Sequence, residues 1–133
     1  MWPDAGTDIV DVNRIDSLIE RSGDRFLNRW FTSDEIAYCR TKAVPSRHFA
    51  ARFAAKEAVA KVLPSGWDGP LAWRSIEIVN NADGAPRVHL TGLPRELADK
   101  ARIERISISL SHCDAYATAV AIAVRNEEHD SAS

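Results

Sequence analysis

Two carboxylates, Asp8 and Glu57, are the side chains of this sequence best placed to do chemistry. Glu57 lies in residues 47–63, RHFAARFAAKEAVAKVL, where alanines and the absence of Gly and Pro predict a helix. Phe49, Ala50, Phe53, Ala54 and Ala60 share a face about 140° wide; Glu57 and Lys61 fall inside it, and Arg52 and Lys56 border it. Glu57 is therefore expected to point inward. A lone buried carboxylate costs several kcal/mol, so it must be protonated, paired with a cation or bound to a metal. The plainer alternative is an i,i+4 pair with Lys61 at the edge of the core, worth about 0.3–0.5 kcal/mol. Asp8 belongs to GTDIVDV, residues 6–12, whose alternation predicts a strand with Gly6, Asp8, Val10 and Val12 on one face. Two oxygen donors from separate elements, without thiolate or imidazole, suit a hard cation such as Mg²⁺, which keeps waters and takes further oxygens from phosphate. The chemistry implied is phosphoryl transfer.

Other constellations are weaker. Ser111 and His112 are neighbours, so on an extended chain they point to opposite faces, and no GxSxG turn surrounds the serine. His48, His89 and His129 lack a zinc-ligand spacing such as HExxH.

The elements that must position these residues follow from pattern. Asp11 caps a helix to residue 21, with Val12, Ile15 and Ile19 on its apolar side and Ser22-Gly23 as its stop. Residues 24–30 form another helical turn or two, bringing Phe26, Leu27 and Trp30 to the core. Thr32-Ser33-Asp34-Glu35 matches a capping box and opens a helix to about Thr41. Ser46 is expected to cap the central helix. Residues 64–70, PSGWDGP, make a turn-rich connection that could contact a ligand. Strands are expected at 73–80 and 87–91, joined by Asn81-Ala82-Asp83-Gly84. Pro94 at a first helical position opens a helix to about Arg102, with Leu93 and Leu97 turned inward. Residues 105–111 and 116–124 read as a final hairpin. The fold class is α+β, a largely antiparallel sheet packed on a long central helix, in a single domain over residues 1–124, with a charged tail at 125–133.

Composition narrows the function. The chain has 133 residues, 45% apolar and 27% charged, as a one-domain globular protein does. A net charge of -2 without a basic run argues against nucleic-acid binding. Apolar runs fall short of a membrane helix, and the first residues lack the charged start of a secretion signal. Cys39 and Cys113 read as free thiols of a cytoplasmic protein.

Three stretches in order carry a resemblance. Gly6-Thr7-Asp8-Ile9-Val10-Asp11-Val12-Asn13-Arg14-Ile15, then Phe49-Ala50-Ala51-Arg52-Phe53-Ala54-Ala55-Lys56-Glu57-Ala58 with Lys61, and last Ile108-Ser109-Leu110-Ser111-His112 with Tyr116-Ala117, resemble the signatures of the holo-acyl-carrier-protein synthases, the short 4'-phosphopantetheinyl transferases. Asp83-Gly84-Ala85-Pro86 stands where that family has a Gly-x-Pro turn. The resemblance implies their fold and their reaction: the 4'-phosphopantetheine group of coenzyme A passes to a serine of an apo acyl carrier protein, and adenosine 3',5'-bisphosphate leaves. It puts the Mg²⁺ ligands on Asp8 and Glu57. It places Arg52, Lys61, Gly84, Pro86, Ser111 and His112 at coenzyme A, with Lys61 neutralising pyrophosphate and Glu57 as candidate base. It also implies a homotrimer with active sites between subunits. Arg14, Leu18 and Arg21 share one stripe of the first helix, and the resemblance makes that stripe the dock for an acidic carrier.

Two departures stand out. Asp4-Ala5-Gly6 replaces a usual Gly-x-Gly, and Pro64-Ser65-Gly66 replaces a usual Gly-Thr-Gly; Pro64 has no amide N–H to offer a phosphate. Two readings from other classes stay open at this point, a non-catalytic α+β binding module and another Mg²⁺-dependent enzyme acting on a nucleotide.

Overall fold

The structure, a computed structural model, describes residues 4–64 and 70–126. Strand β1 (Ala5–Asp11) leads directly into helix α1 (Val12–Ser22), because the Asp11 carboxylate accepts from the Asn13 amide at 2.8 Å and caps it. Gly23, at φ 48°, closes α1 and admits α2 (Asp24–Trp30). Helix α3 (Ser33–Arg40) starts on the expected capping box, Thr32 Oγ1 accepting from Glu35 N and Glu35 Oε1 from Thr32 N. Helix α4 (Pro45–Val62) is the centre of the molecule. Strands β2 (Ile76–Asn80) and β3 (Pro86–Leu90), helix α5 (Gly92–Lys100), and strands β4 (Ile103–His112) and β5 (Tyr116–Arg125) complete the order.

Every strand pair is antiparallel, but the strands form two sheets rather than one. The first has the order β1-β5-β4 and the second is the β2-β3 hairpin. In the first sheet, Asp8 lies opposite Ala119, and Ala119 opposite Leu110. Helix α4 packs across this sheet through small side chains on both partners. Ala50, Ala54, Ala55 and Ala58 meet a face where Ala117, Ala119, Ala121 and Ala123 are all buried, and the larger residues of β5 point the other way.

Several expectations on element boundaries are corrected. Ser46 does not cap α4: the helix starts at Pro45 in a first-turn position, where a missing N–H is harmless, and its N-cap, Val44, makes no side-chain bond. Residues Pro70–Ser75 form a 3-10 helix where a strand was expected to begin at Trp73. Helix α5 starts at Gly92, so Pro94 falls at its third position and is buried with Ala98, whereas Leu93 is exposed. Arg125 belongs to β5, its guanidinium bonded to Asp4 and to the Ala101 carbonyl. The loop over 65–69 and the tail over 127–133 lie outside the described residues.

Both cations expected on the border of α4 are in fact interior. Lys56 is fully buried, and its three ammonium protons go to Glu35 Oε1 at 2.8 Å, Trp73 O at 2.9 Å and Ile76 O at 2.6 Å. Glu35, also buried, accepts in addition from the amides of Thr32 and Ile78. Each charge is therefore saturated with partners, the condition under which a buried pair is tolerated. Lys56→Met should cost about 3–5 kcal/mol by urea unfolding, because Glu35 would remain as an uncompensated buried carboxylate. A loss below about 1 kcal/mol would contradict this role.

Candidate functional site

Glycine at position 6 sets the site. A Cβ there would collide with the Ala58 carbonyl oxygen and come within 2.9 Å of Lys61 Cβ, so β1 lies directly on the backbone of α4. Gly6, Asp8 and Val10 alternate onto that covered face, while Thr7, Ile9 and Asp11 are exposed. Asp8 therefore arrives beside the last turns of α4. Lys61 crosses to β1, donating to the Thr7 carbonyl at 2.6 Å and pairing with Asp8 Oδ1 at 3.4 Å.

Glu57 is half-buried at this junction rather than enclosed. Burial, and then the charge of Asp8, push its carboxyl above the ordinary carboxylate range, while Lys61 and Arg14 pull it back. The i,i+4 alternative is thus not what forms: the Lys61 ammonium is engaged with β1, and Glu57 faces a second carboxylate. Two like charges held together in this way suit a divalent cation. Among the described residues, no group of three or more His, Cys, Asp or Glu side chains is arranged to hold a metal ion by itself. The donor set is therefore two hard oxygens, which fits an ion such as Mg²⁺ that keeps waters and takes phosphate oxygens. Ser111 lines the same shallow depression as Asp8 and Lys61.

The remaining candidates gather elsewhere. Arg52 lies over the Tyr38 ring at 4.3 Å and donates to Asn80 Oδ1 at 2.7 Å; Asn80 Nδ2 in turn donates to the Gly84 carbonyl. Gly84, at φ 85°, shapes that turn. His112, at the end of β4, packs against His48 on the first turn of α4. Pro86 lines a different groove, of about 460 Å³, between β3, α5 and β4, with Arg87, Arg95 and Arg105. Nine residues, two and a half turns, separate Arg52 from Lys61, so the two sets leave α4 on opposite sides.

Arg14 and Leu18 line a groove of about 270 Å³ together with Arg25, Arg29, Trp30 and Phe53. Arg21, in the last turn of α1, is exposed and outside that lining. Arg25 lies beyond the Gly23 break, and α2 returns it to the same groove. His48 was also missed as a neighbour of the site, although its i,i+4 spacing from Arg52 carried the signal.

A family model described as the 4'-phosphopantetheinyl transferase superfamily matches residues 4–121. The chain is 44% identical over 117 residues to the holo-[acyl-carrier-protein] synthase of Protochlamydia amoebophila, covering 88% of this chain and 93% of that protein. It is 46% identical over 119 residues to the synthase of Moorella thermoacetica, covering 90% and 91%. Among solved structures, the holo-[acyl-carrier-protein] synthase of Neisseria meningitidis matches with a TM-score of 0.82 at 32% identity, covering 94% of this chain and all of that one. The Helicobacter pylori synthase in complex with coenzyme A matches with a TM-score of 0.78 at 33% identity, covering 90% and 99%. With its fold, the carboxylate junction on α4 and these likenesses in agreement, the chain belongs to the holo-[acyl-carrier-protein] synthases of the 4'-phosphopantetheinyl transferase superfamily.

Proposed function

We propose that this protein transfers the 4'-phosphopantetheine group from coenzyme A to a serine of an apo acyl carrier protein in a Mg²⁺-dependent reaction, releasing adenosine 3',5'-bisphosphate. The observation that carries this reading is the meeting of Asp8 and Glu57 beside Lys61, where β1 closes on α4. Asp8 and Glu57 would hold the ion, which when bound supplies positive charge to the pyrophosphate. Lys61 adds a second cation, steadied by the Thr7 carbonyl. Glu57, with its raised pKa, is suited to take the proton of the carrier serine. The serine oxygen then bonds to the phosphorus bearing pantetheine, the pyrophosphate bond breaks, and adenosine 3',5'-bisphosphate departs.

Residues 1–124 act in this reading as one catalytic domain. The cytoplasmic setting is in keeping with Cys39 and Cys113 as free thiols. No helix among the described residues is long and apolar enough to cross a membrane.

A homotrimer with shared active sites completes the proposal. The face of the first sheet turned away from α4 exposes Ile9 (62%), Tyr116 (50%) and Ile122 (45%), apolar side chains that a neighbouring subunit would cover. Arg52 and His112 lie on the opposite side of α4 from Lys61, so a second subunit would bring one set to the other's coenzyme A. The carrier docks on the arginine-rimmed groove of α1 and α2, whose positive charge complements an acidic partner.

Incubation with coenzyme A, Mg²⁺ and an apo carrier, followed by weighing of the products, should show the carrier gaining the phosphopantetheine mass. Asp8→Ala and Glu57→Ala should each lower turnover by at least about a hundredfold, since each removes a ligand where charge moves in the transition state. Near-normal turnover by either would reject the metal assignment. Glu57→Gln should lose turnover as well, yet stabilise the metal-free fold. Because the folded-state pKa is raised, ionisation of Glu57 costs stability above its titration range. The gain should therefore appear in urea unfolding at pH 7 and vanish below pH ~4.

Sedimentation should report a trimer for the wild-type chain, and Ile9→Asp with Ile122→Asp should dissociate it and abolish coenzyme A binding together. A fully active monomer would refute the shared site.

Arg14 lies near Glu57, so the docking test uses its neighbours. Arg25→Glu with Arg29→Glu should raise the Michaelis constant for the carrier about tenfold and flatten its salt dependence, leaving coenzyme A affinity unchanged. Loss of coenzyme A binding with carrier binding intact would move these arginines to the cofactor site.

A further inference from the structure

Two strand edges face each other without pairing. Strand β4 ends the order β1-β5-β4, β3 is half of the second sheet, and no backbone hydrogen bond joins them among the described residues. Asn81 N donates to Ala85 O and Thr91 N to Ser75 O, so alternation along the β2-β3 ladder turns the polar groups of Arg87 and His89 to β2. Those of Val88 and Leu90 therefore face outward. By the same alternation, Cys113 N donating to Tyr116 O puts the amides of Ile106 and Ile108 on the open side of β4. All four residues line the groove of about 460 Å³ between β3, α5 and β4. Open edges flanked by apolar side chains are a template for a further strand.

The rim selects an acidic one. Arg87, Arg95 and Arg105 line the groove against Glu104. Arg95 meets the exposed Asp99 at 3.4 Å, an i,i+4 pair of the kind that contributes little. The chain supplies a matching segment, since residues 127–133, beyond the described ones, read EEHDSAS and begin with three carboxylates in four positions. Its point of departure is fixed. Asn126 N donates to Arg102 O at 2.8 Å, so the chain leaves β5 beside Ile103, where β4 and the groove begin. Extended, residues 127–133 would span about 23 Å against about 17 Å for β3, enough to follow the whole edge.

We propose that residues 127–132 lie in this groove as an added strand, with Glu127, Glu128 and Asp130 drawn to Arg87, Arg95 and Arg105. The strand exchanges backbone hydrogen bonds with the free amides' edges of β3 and β4, and so ties the β2-β3 hairpin to the first sheet. It also covers both edges against pairing with another molecule.

Hydrogen exchange on the full chain, read residue by residue, tests this. The amides of Val88, Leu90, Ile106 and Ile108 should be protected in the wild type. Replacing the carboxylates together, as Glu127→Gln, Glu128→Gln and Asp130→Asn, should speed their exchange about tenfold, while Ser107 and Ser109, bonded to β5, stay unchanged. Raised salt should act on the wild type in the same direction, because the ion pairs are exposed. Arg87→Glu with Arg105→Glu should open the edges, and adding Glu127→Arg and Glu128→Arg should close them again, which a merely charged rim would not do. If the arginine reversal prevents folding, the carboxylate variant decides by itself. Equal exchange at the four amides in wild type and carboxylate variant would overturn the proposal. Protection that rises with protein concentration would overturn it too, giving the groove to a second copy.

Discussion

The buried pair between Lys56 and Glu35 fixes the rotation of α4, and the placement of every candidate side chain follows from that rotation. Lys56 has three acceptors on three segments, α3, the 3-10 turn and β2, and a helix pinned through one ammonium in this way cannot turn about its axis. His48 and Arg52 precede Lys56 by two turns and one, so all three lie on one row that runs from the surface to the interior. Glu57 is displaced from that row by about 100°, and Lys61 follows it one turn later, which aims this second row at β1. Losing one partner of the pair would thus disturb both rows as well as stability.

Closeness is the second constraint. Alanines on α4 and on β5 let helix and sheet approach until Gly6 touches the helix backbone, and Asp8 and Glu57 meet only because of this approach. A larger residue at position 6 would hold β1 away, and the like-charge contact that raises Glu57 would weaken. The same arrangement turns the larger residues of β5 outward, so Tyr116 and Ile122 are left exposed as a direct consequence of small-residue packing on the inner side.

Charge is distributed in keeping with a polyanionic substrate. One side of α4 offers carboxylates with a single lysine; the other offers arginine and imidazole. The positive rim over α1 and α2 adds a third area. An almost neutral chain therefore carries three locally distinct fields.

By itself, the sequence determined whatever depends on neighbours along the chain. The Asp11 cap, the Thr32–Glu35 capping box, the Gly23 stop and the alternation that places Gly6, Asp8 and Val10 on one face all rest on contacts within a few residues. Ordered motifs singled out Asp8 and Glu57 together, and the structure brings their charges close enough for Asp8 to raise the Glu57 carboxyl. Burial along α4 was misread, because a helical wheel assigns inside and outside from apolar residues, and Lys56 is interior through partners 17 to 21 residues away in sequence. The same limit explains why Glu57 was expected to point inward and why His48 went unmatched with a residue 64 positions further on. Pairing of Asp8 with Lys61, the division into two sheets and the contact of His48 with His112 were decided by tertiary structure, since each requires elements that the sequence separates and only packing brings together.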